Sequence, residues 1–111
     1  MFLSLPLHLE KEYQECWCKA NNGICEYKLQ DNTRVDCLTS EYAVEFDFAP
    51  KWAESIGQSL YYAIMTNRKP AVVLIMENPI NDCKYLNRLN KVAEELGIKV
   101  YTMTDLENIT E

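Results

Sequence analysis

A chain of 111 residues, 48% hydrophobic and 25% charged, suffices for one domain with a core of its own and is too short for two. No run approaches the roughly 20 apolar residues that a membrane span requires, which excludes a helical membrane protein. The formal net charge of −6 argues against a protein that grips phosphates through an overall basic surface, so any such surface is a local patch or comes from a partner.

The opening Met-Phe-Leu-Ser-Leu-Pro-Leu is apolar but lacks the basic start and small-residue cleavage site of a signal peptide, although an export signal further upstream stays open. From Leu7 to Asn21 the apolar spacing of Leu9, Tyr13 and Trp17 predicts an amphipathic helix, stopped by Asn21-Asn22-Gly23. Ile24 to Gln30 reads as a strand ending in an Asp31-Asn32 hairpin turn, and Thr33 to Leu38 as its partner. A third strand spans Tyr42 to Phe48, with Val44, Phe46 and Phe48 on one face and Ala43, Glu45 and Asp47 on the other.

Pro50 suits the first turn of a second helix reaching Asn67, with Trp52, Ile56, Leu60 and Ala63 as its buried stripe. Ala71 to Met76 is a continuous apolar run, the pattern of a strand covered on both faces. A third helix follows from Asp82 to Leu96, stopped by Gly97. Ile98 to Met103 is a last strand, and the tail beyond it suits a single helical turn. The order α-β-β-β-α-β-α-β predicts an α/β fold, an antiparallel meander continued by helix-linked strands into one mixed sheet.

Five cysteines (Cys16, Cys18, Cys25, Cys37 and Cys83) show no disulfide-framework spacing. Cys16-Trp-Cys18 lacks the paired partners of a zinc site, and His8 is the sole histidine. The expectation is buried or half-buried free thiols, and with them a cytoplasmic protein.

The acidic residues carry the chemistry. If Ser40 and Glu41 form the turn between the second and third strands, Asp36 lies opposite Glu45 and Arg34 opposite Asp47, all on one face. Carboxylates on directly paired residues, with Cβ atoms roughly 5 Å apart, repel unless a cation lies between them. Mg²⁺ takes oxygen ligands of this kind. The plainer reading is a solvated charged face in which Arg34 neutralises Asp47. On the second helix, Lys51, Ser55, Gln58 and Tyr62 form a polar stripe that would face a common cleft with the acids.

Arg34-Val35-Asp36, Ala43-Val44-Glu45-Phe46-Asp47 and Gly57-Gln58-Ser59-Leu60-Tyr61-Tyr62-Ala63 together resemble the PD-(D/E)xK nuclease superfamily, and within it small bacterial proteins of unknown role and Holliday-junction-resolvase-like enzymes. The resemblance spans residues from about 10 to 103 and implies a restriction-endonuclease-like core. It implies that Asp36 and Glu45 bind Mg²⁺ or Mn²⁺, with Gln58 near the active site. A glutamate of the first helix would complete the site. Glu10, Glu12 and Glu15 are the candidates, and we favour Glu12. The chain departs from the pattern where the motif lysine is replaced by Asp47. Asp47 would then be a third metal ligand or hold a metal-bound water, and Lys51 would bring the ammonium from the helix. Alternatively, the site no longer cuts.

The resemblance thus implies metal-dependent hydrolysis of DNA, including branched DNA, by a homodimer, leaving a 5′-phosphate. Its rivals are a non-catalytic binding or assembly module of the same fold and a small-molecule-binding α/β domain. The absence of a glycine-rich phosphate loop weighs against the last. Arg68, Lys69, Lys84, Arg88 and Lys91 place basic charge around the third helix and the preceding loop, with Lys84, Arg88 and Lys91 on one helix face. They are the candidate phosphate-binding patch, against the plainer reading of a solvated surface with ordinary salt bridges.

Overall fold

The computed structural model describes residues 5–106 throughout and the strand Asn108–Thr110 by its backbone. The start of the opening apolar segment, residues 1–4, and the acidic tail residues Glu107 and Glu111 lie outside what it describes. The elements run α1 (Glu10–Ala20), β1 (Ile24–Lys28), β2 (Arg34–Leu38), β3 (Tyr42–Phe48), a 3-10 turn (Ala49–Lys51), α2 (Trp52–Thr66), β4 (Lys69–Ile75), α3 (Pro79–Leu96), β5 (Lys99–Asp105) and β6 (Asn108–Thr110). The strands form one sheet in sequence order, β1-β2-β3-β4-β5-β6. The first three are antiparallel, β3-β4-β5 are parallel, and β6 returns antiparallel to β5. The fold is the mixed α/β sheet expected, with one difference. The tail forms an edge strand, because the backbone of Asn108–Thr110 pairs with β5 instead of closing a helical turn.

Both faces of the sheet are covered. On one, Tyr13, Trp17 and Cys18 of α1 pack on Cys37, Val44, Phe46, Val73 and Met103. The Trp17 ring meets Phe46 and Tyr101 edge-on, with centroids 5.7 and 5.3 Å apart. On the other, Leu89 and Ala93 of α3 pack with Val72, Leu74 and Ile98, and Trp52, Ile56 and Leu60 of α2 pack against that cluster. β4 contributes to both layers, which explains its unbroken apolar run.

α1 begins later than its periodicity suggests. Residues ahead of it are strapped to the end of β4, where Glu77 Oε2 accepts from the amides of Leu7 (2.9 Å) and His8 (3.2 Å) and from the Tyr13 hydroxyl (2.6 Å). Glu12 Oε1 accepts from the Leu9 amide at 2.9 Å, satisfying one of the donors left free at a helix start. At the far end, Gly23 lies over two sulfur atoms. A Cβ there would stand 2.3 Å from Cys37 Sγ and 2.7 Å from Cys18 Sγ, so no larger residue fits.

Those two sulfurs are bonded. Cys18 of α1 and Cys37 of β2 form a disulfide, while Cys16, Cys25 and Cys83 are free. This corrects the expectation of free thiols throughout and removes the ground on which a cytoplasmic location was read. Spacing along the chain gave no signal, because the pairing is made by the packing of α1 across the sheet. Among the described residues, no helix is long and apolar enough to cross a membrane.

Helix α2 also corrects the polar-stripe expectation. Ser55 and Ser59 are fully buried, their hydroxyls donating back to the carbonyls of Trp52 (2.7 Å) and Ile56 (3.0 Å). Back-bonding of this kind lets a serine lie inside a helix interface. Tyr62 is buried with Val35, Leu38 and Ala43, leaving Lys51 and Gln58 as the exposed members of the stripe. The Tyr61 hydroxyl donates a hydrogen bond to Asp31 of the β1–β2 loop.

Candidate acidic site at the β2–β3 junction

Strands β2 and β3 pair in the register expected, Cys37 with Val44 and Leu38 with Ala43. One step further brings Asp36 opposite Glu45, and there carboxylates take over from the backbone ladder. The Phe46 amide donates to Asp36 Oδ2 at 2.8 Å, and the Asp36 amide donates to Glu45 Oε1 at 3.3 Å. The Asp36 carbonyl accepts from Gln14 Nε2 of α1 at 2.8 Å. Every backbone group of Asp36 named here is thus satisfied by a side chain.

The strand rolls at this point. Strict alternation would put Val35 and Leu38 on opposite faces, yet both pack with Ala43 and Tyr62. Across β1, the residue between the pairs Cys25–Cys37 and Tyr27–Val35 is Glu26, with φ at 52°. A left-handed conformation costs a non-glycine residue on the order of 1 kcal/mol. The roll also carries Arg34 away from the acids. Arg34 is exposed and pairs with Lys28 on β1, and among the described residues it forms no ion pair with Asp47. The neutralising role expected for it is therefore corrected.

The acids lie in an environment that disfavours charge. Glu45 is 3% and Asp47 7% exposed. Burial raises the pKa of both Asp36 and Glu45 above the ordinary carboxylate range, and their proximity to each other raises that of Glu45 further. Asp47 is pushed up to about 7, first by burial, then by the charges of Glu10, Asp36 and Glu54, with Lys51 opposing. Its Oδ2 is buried with no hydrogen-bond partner. Such a group costs roughly 1–3 kcal/mol when left unsatisfied. Glu10, in the first turn of α1, is raised by burial and by Asp36, again with Lys51 opposing.

Asp36, Glu45 and Asp47 are therefore brought together, with Lys51 close enough to act on Asp47 and Glu10. Glu12 is placed elsewhere. One carboxylate oxygen is bound to the Leu9 amide, and the other faces His8 Nδ1 at 3.9 Å. The glutamate of α1 that senses Asp36 is Glu10, one turn before Gln14, on the stripe Glu10-Gln14-Cys18. Gln58 is exposed and forms no hydrogen bond with the acids. Glu26 and Glu54 add negative charge that the strand pattern alone does not single out. Their contribution comes from a left-handed residue and from the first turn of α2.

Among the described residues, no group of three or more Asp, Glu, His or Cys side chains stands ready-made as a metal cage. The donor set is nonetheless of the hard-oxygen kind that Mg²⁺ and Mn²⁺ take, and the orphaned Asp47 oxygen has the chemistry of a missing cation partner. The residues fit a divalent cation by donor type and by electrostatic need.

No family model, no curated protein and no solved structure matches this chain.

Proposed function

We propose that the chain is a divalent-cation-dependent phosphodiesterase acting on DNA, with a restriction-endonuclease-like core and an acidic site formed by Asp36, Glu45 and Asp47. The observation that carries this reading is the opposed pair Asp36–Glu45 on splayed strands beside a buried, unpartnered Asp47 oxygen. The order of elements and the motif residues favour the PD-(D/E)xK superfamily over a generic α/β domain.

Asp36 and Glu45 would hold the cation through the oxygens not committed to amides, and Asp47 would add its free oxygen or hold a bound water. Mg²⁺ or Mn²⁺ lowers the pKa of a bound water and shields phosphate charge. Lys51 would replace the motif lysine, a role supported by its charge acting on both Asp47 and Glu10. Glu10 takes the part expected of a first-helix glutamate. Gln58, exposed on α2, is assigned to substrate rather than to the acids. Lys84, Arg88 and Lys91 are exposed on α3, with Lys84 and Arg88 flanking the Tyr85 ring at 5.1 and 5.6 Å. They supply a local basic patch for a DNA backbone, branched DNA included, with a homodimer presenting two such patches.

A second reading, a non-catalytic binding or assembly module of the same fold, is favoured by one specific fact: the position of the motif lysine carries Asp47. Incubation with branched, single- and double-stranded DNA plus Mg²⁺ or Mn²⁺ separates the two. The nuclease reading predicts cleavage that Asp36→Ala and Glu45→Ala abolish. Cleavage unchanged by both substitutions, or none on any substrate, contradicts it.

A further inference from the structure

The Cys18–Cys37 disulfide is sealed from solvent. Both residues are 0% exposed, and the Gly23 backbone closes over the sulfurs so tightly that a Cβ would collide with them. A dissolved thiol has no direct line to either sulfur. A third cysteine lies on the neighbouring strand. Cys25 of β1 is the direct cross-strand partner of Cys37, is a free thiol of intermediate exposure, and packs against the cluster that contains Cys18 and Cys37. Cross-strand partners in an antiparallel pair have Cα atoms about 4.5–5.5 Å apart, within the range a disulfide spans.

We propose that Cys25 is a thiol–disulfide exchange site through which the buried Cys18–Cys37 bond is opened and transferred to β1–β2. The Cys25 thiol, held above its ordinary pKa by burial and by the nearby Glu15, Glu26 and Asp36, loses its proton to solvent, and the resulting thiolate attacks Cys37 Sγ. A Cys25–Cys37 bond forms as the Cys18–Cys37 bond breaks, and Cys18 leaves as thiolate. One disulfide and one thiolate stand on each side, so no outside oxidant or reductant is needed. A small dithiol then reduces the half-exposed Cys25–Cys37 bond in two exchanges, leaving three protein thiols and the cyclic disulfide of the reagent. Neither Cys16 nor Cys83 is placed to take part. Cys16 donates to the Leu106 carbonyl, and Cys83 is an exposed residue of α3. Transfer removes the covalent tie between α1 and β2 one turn from Gln14, the residue that holds the Asp36 carbonyl. The exchange itself does not depend on cation binding or nuclease activity.

The test is a reduction time course on the oxidised, folded full chain with dithiothreitol, quenched with acid, alkylated and mapped for linked peptides. Peptides joined through Cys25 and Cys37 are expected as an intermediate. Cys25→Ser is expected to slow loss of the Cys18–Cys37 bond by about tenfold or more, with Cys16→Ser and Cys83→Ser at the wild-type rate. Reduction of Cys25→Ser as fast as wild type, or a wild-type time course with no Cys25–Cys37 species, overturns the proposal. Should Cys25→Ser fail to fold by circular dichroism, the wild-type map decides alone.

Discussion

Asp36 and Glu45 bind each other's strands through their carboxylates. The Asp36 amide donates to Glu45 Oε1, and Asp36 accepts from the amide of Phe46, the residue after Glu45. Two acids thus occupy the place of ladder hydrogen bonds. Each accepts a backbone amide, and the two carboxyl groups also hydrogen-bond to each other, in surroundings that penalise their charge. That relationship makes the junction the place where the proposed cation would be held.

The pH dependence follows from the sign of the shifts. Asp47 has a folded-state value of about 7 against an ordinary 3.8, so the native state holds its proton more tightly than the unfolded chain. Stability is then lost as pH rises between those values and levels off above about 7. Asp36 and Glu45 act in the same direction. Thermal unfolding without divalent cations is expected to give a higher Tm at pH 5.5 than at pH 8. Asp47→Asn, which removes a buried charge at constant shape, is expected to raise stability at pH 8 by about 1–3 kcal/mol and to flatten the pH profile.

Gln14 is 3% exposed and donates its amide to the Asp36 carbonyl. Gln14→Leu strips that carbonyl of a partner and is expected to cost about 1–3 kcal/mol in denaturant unfolding. Gln14→Glu is expected to be worse than Gln14→Leu, because it adds a buried acid beside Asp36.

Gly23→Ala places a methyl group on the Cys18 and Cys37 sulfurs. Overpacking of this kind costs about 1–3 kcal/mol or more. The penalty is expected to shrink in a Cys18→Ala/Cys37→Ala background, where the colliding atoms are gone. Double-mutant unfolding measures that coupling.

Much of the fold could be read from local pattern. The alternation of β3, the apolar run of β4 and the stops at Gly23 and Gly97 each identify an element with little help from tertiary packing. The Asp36–Glu45 pairing was legible too, because a short turn at Ser40-Glu41 fixes the register. What escaped depends on the third dimension. The disulfide joins residues brought together by the crossing of α1 over the sheet. Glu10 and Gln14 face Asp36 because Glu77 straps the segment before α1 and sets where that helix begins. Ser55 and Tyr62 are buried because they satisfy or shield their polar atoms within the helix interface. The roll at Asp36, with Glu26 left-handed beside it, has no periodic signature.

Titration calorimetry with Mn²⁺ at pH 7.5, paired with thermal unfolding of the same samples, bears most directly on the acidic site. Wild type is expected to bind and to gain about 2.7 kcal/mol of stability at a hundredfold excess of free Mn²⁺ over Kd, with Asp36→Asn and Glu45→Gln losing both effects. Equal binding by wild type and both variants, or no binding by wild type, would contradict the account.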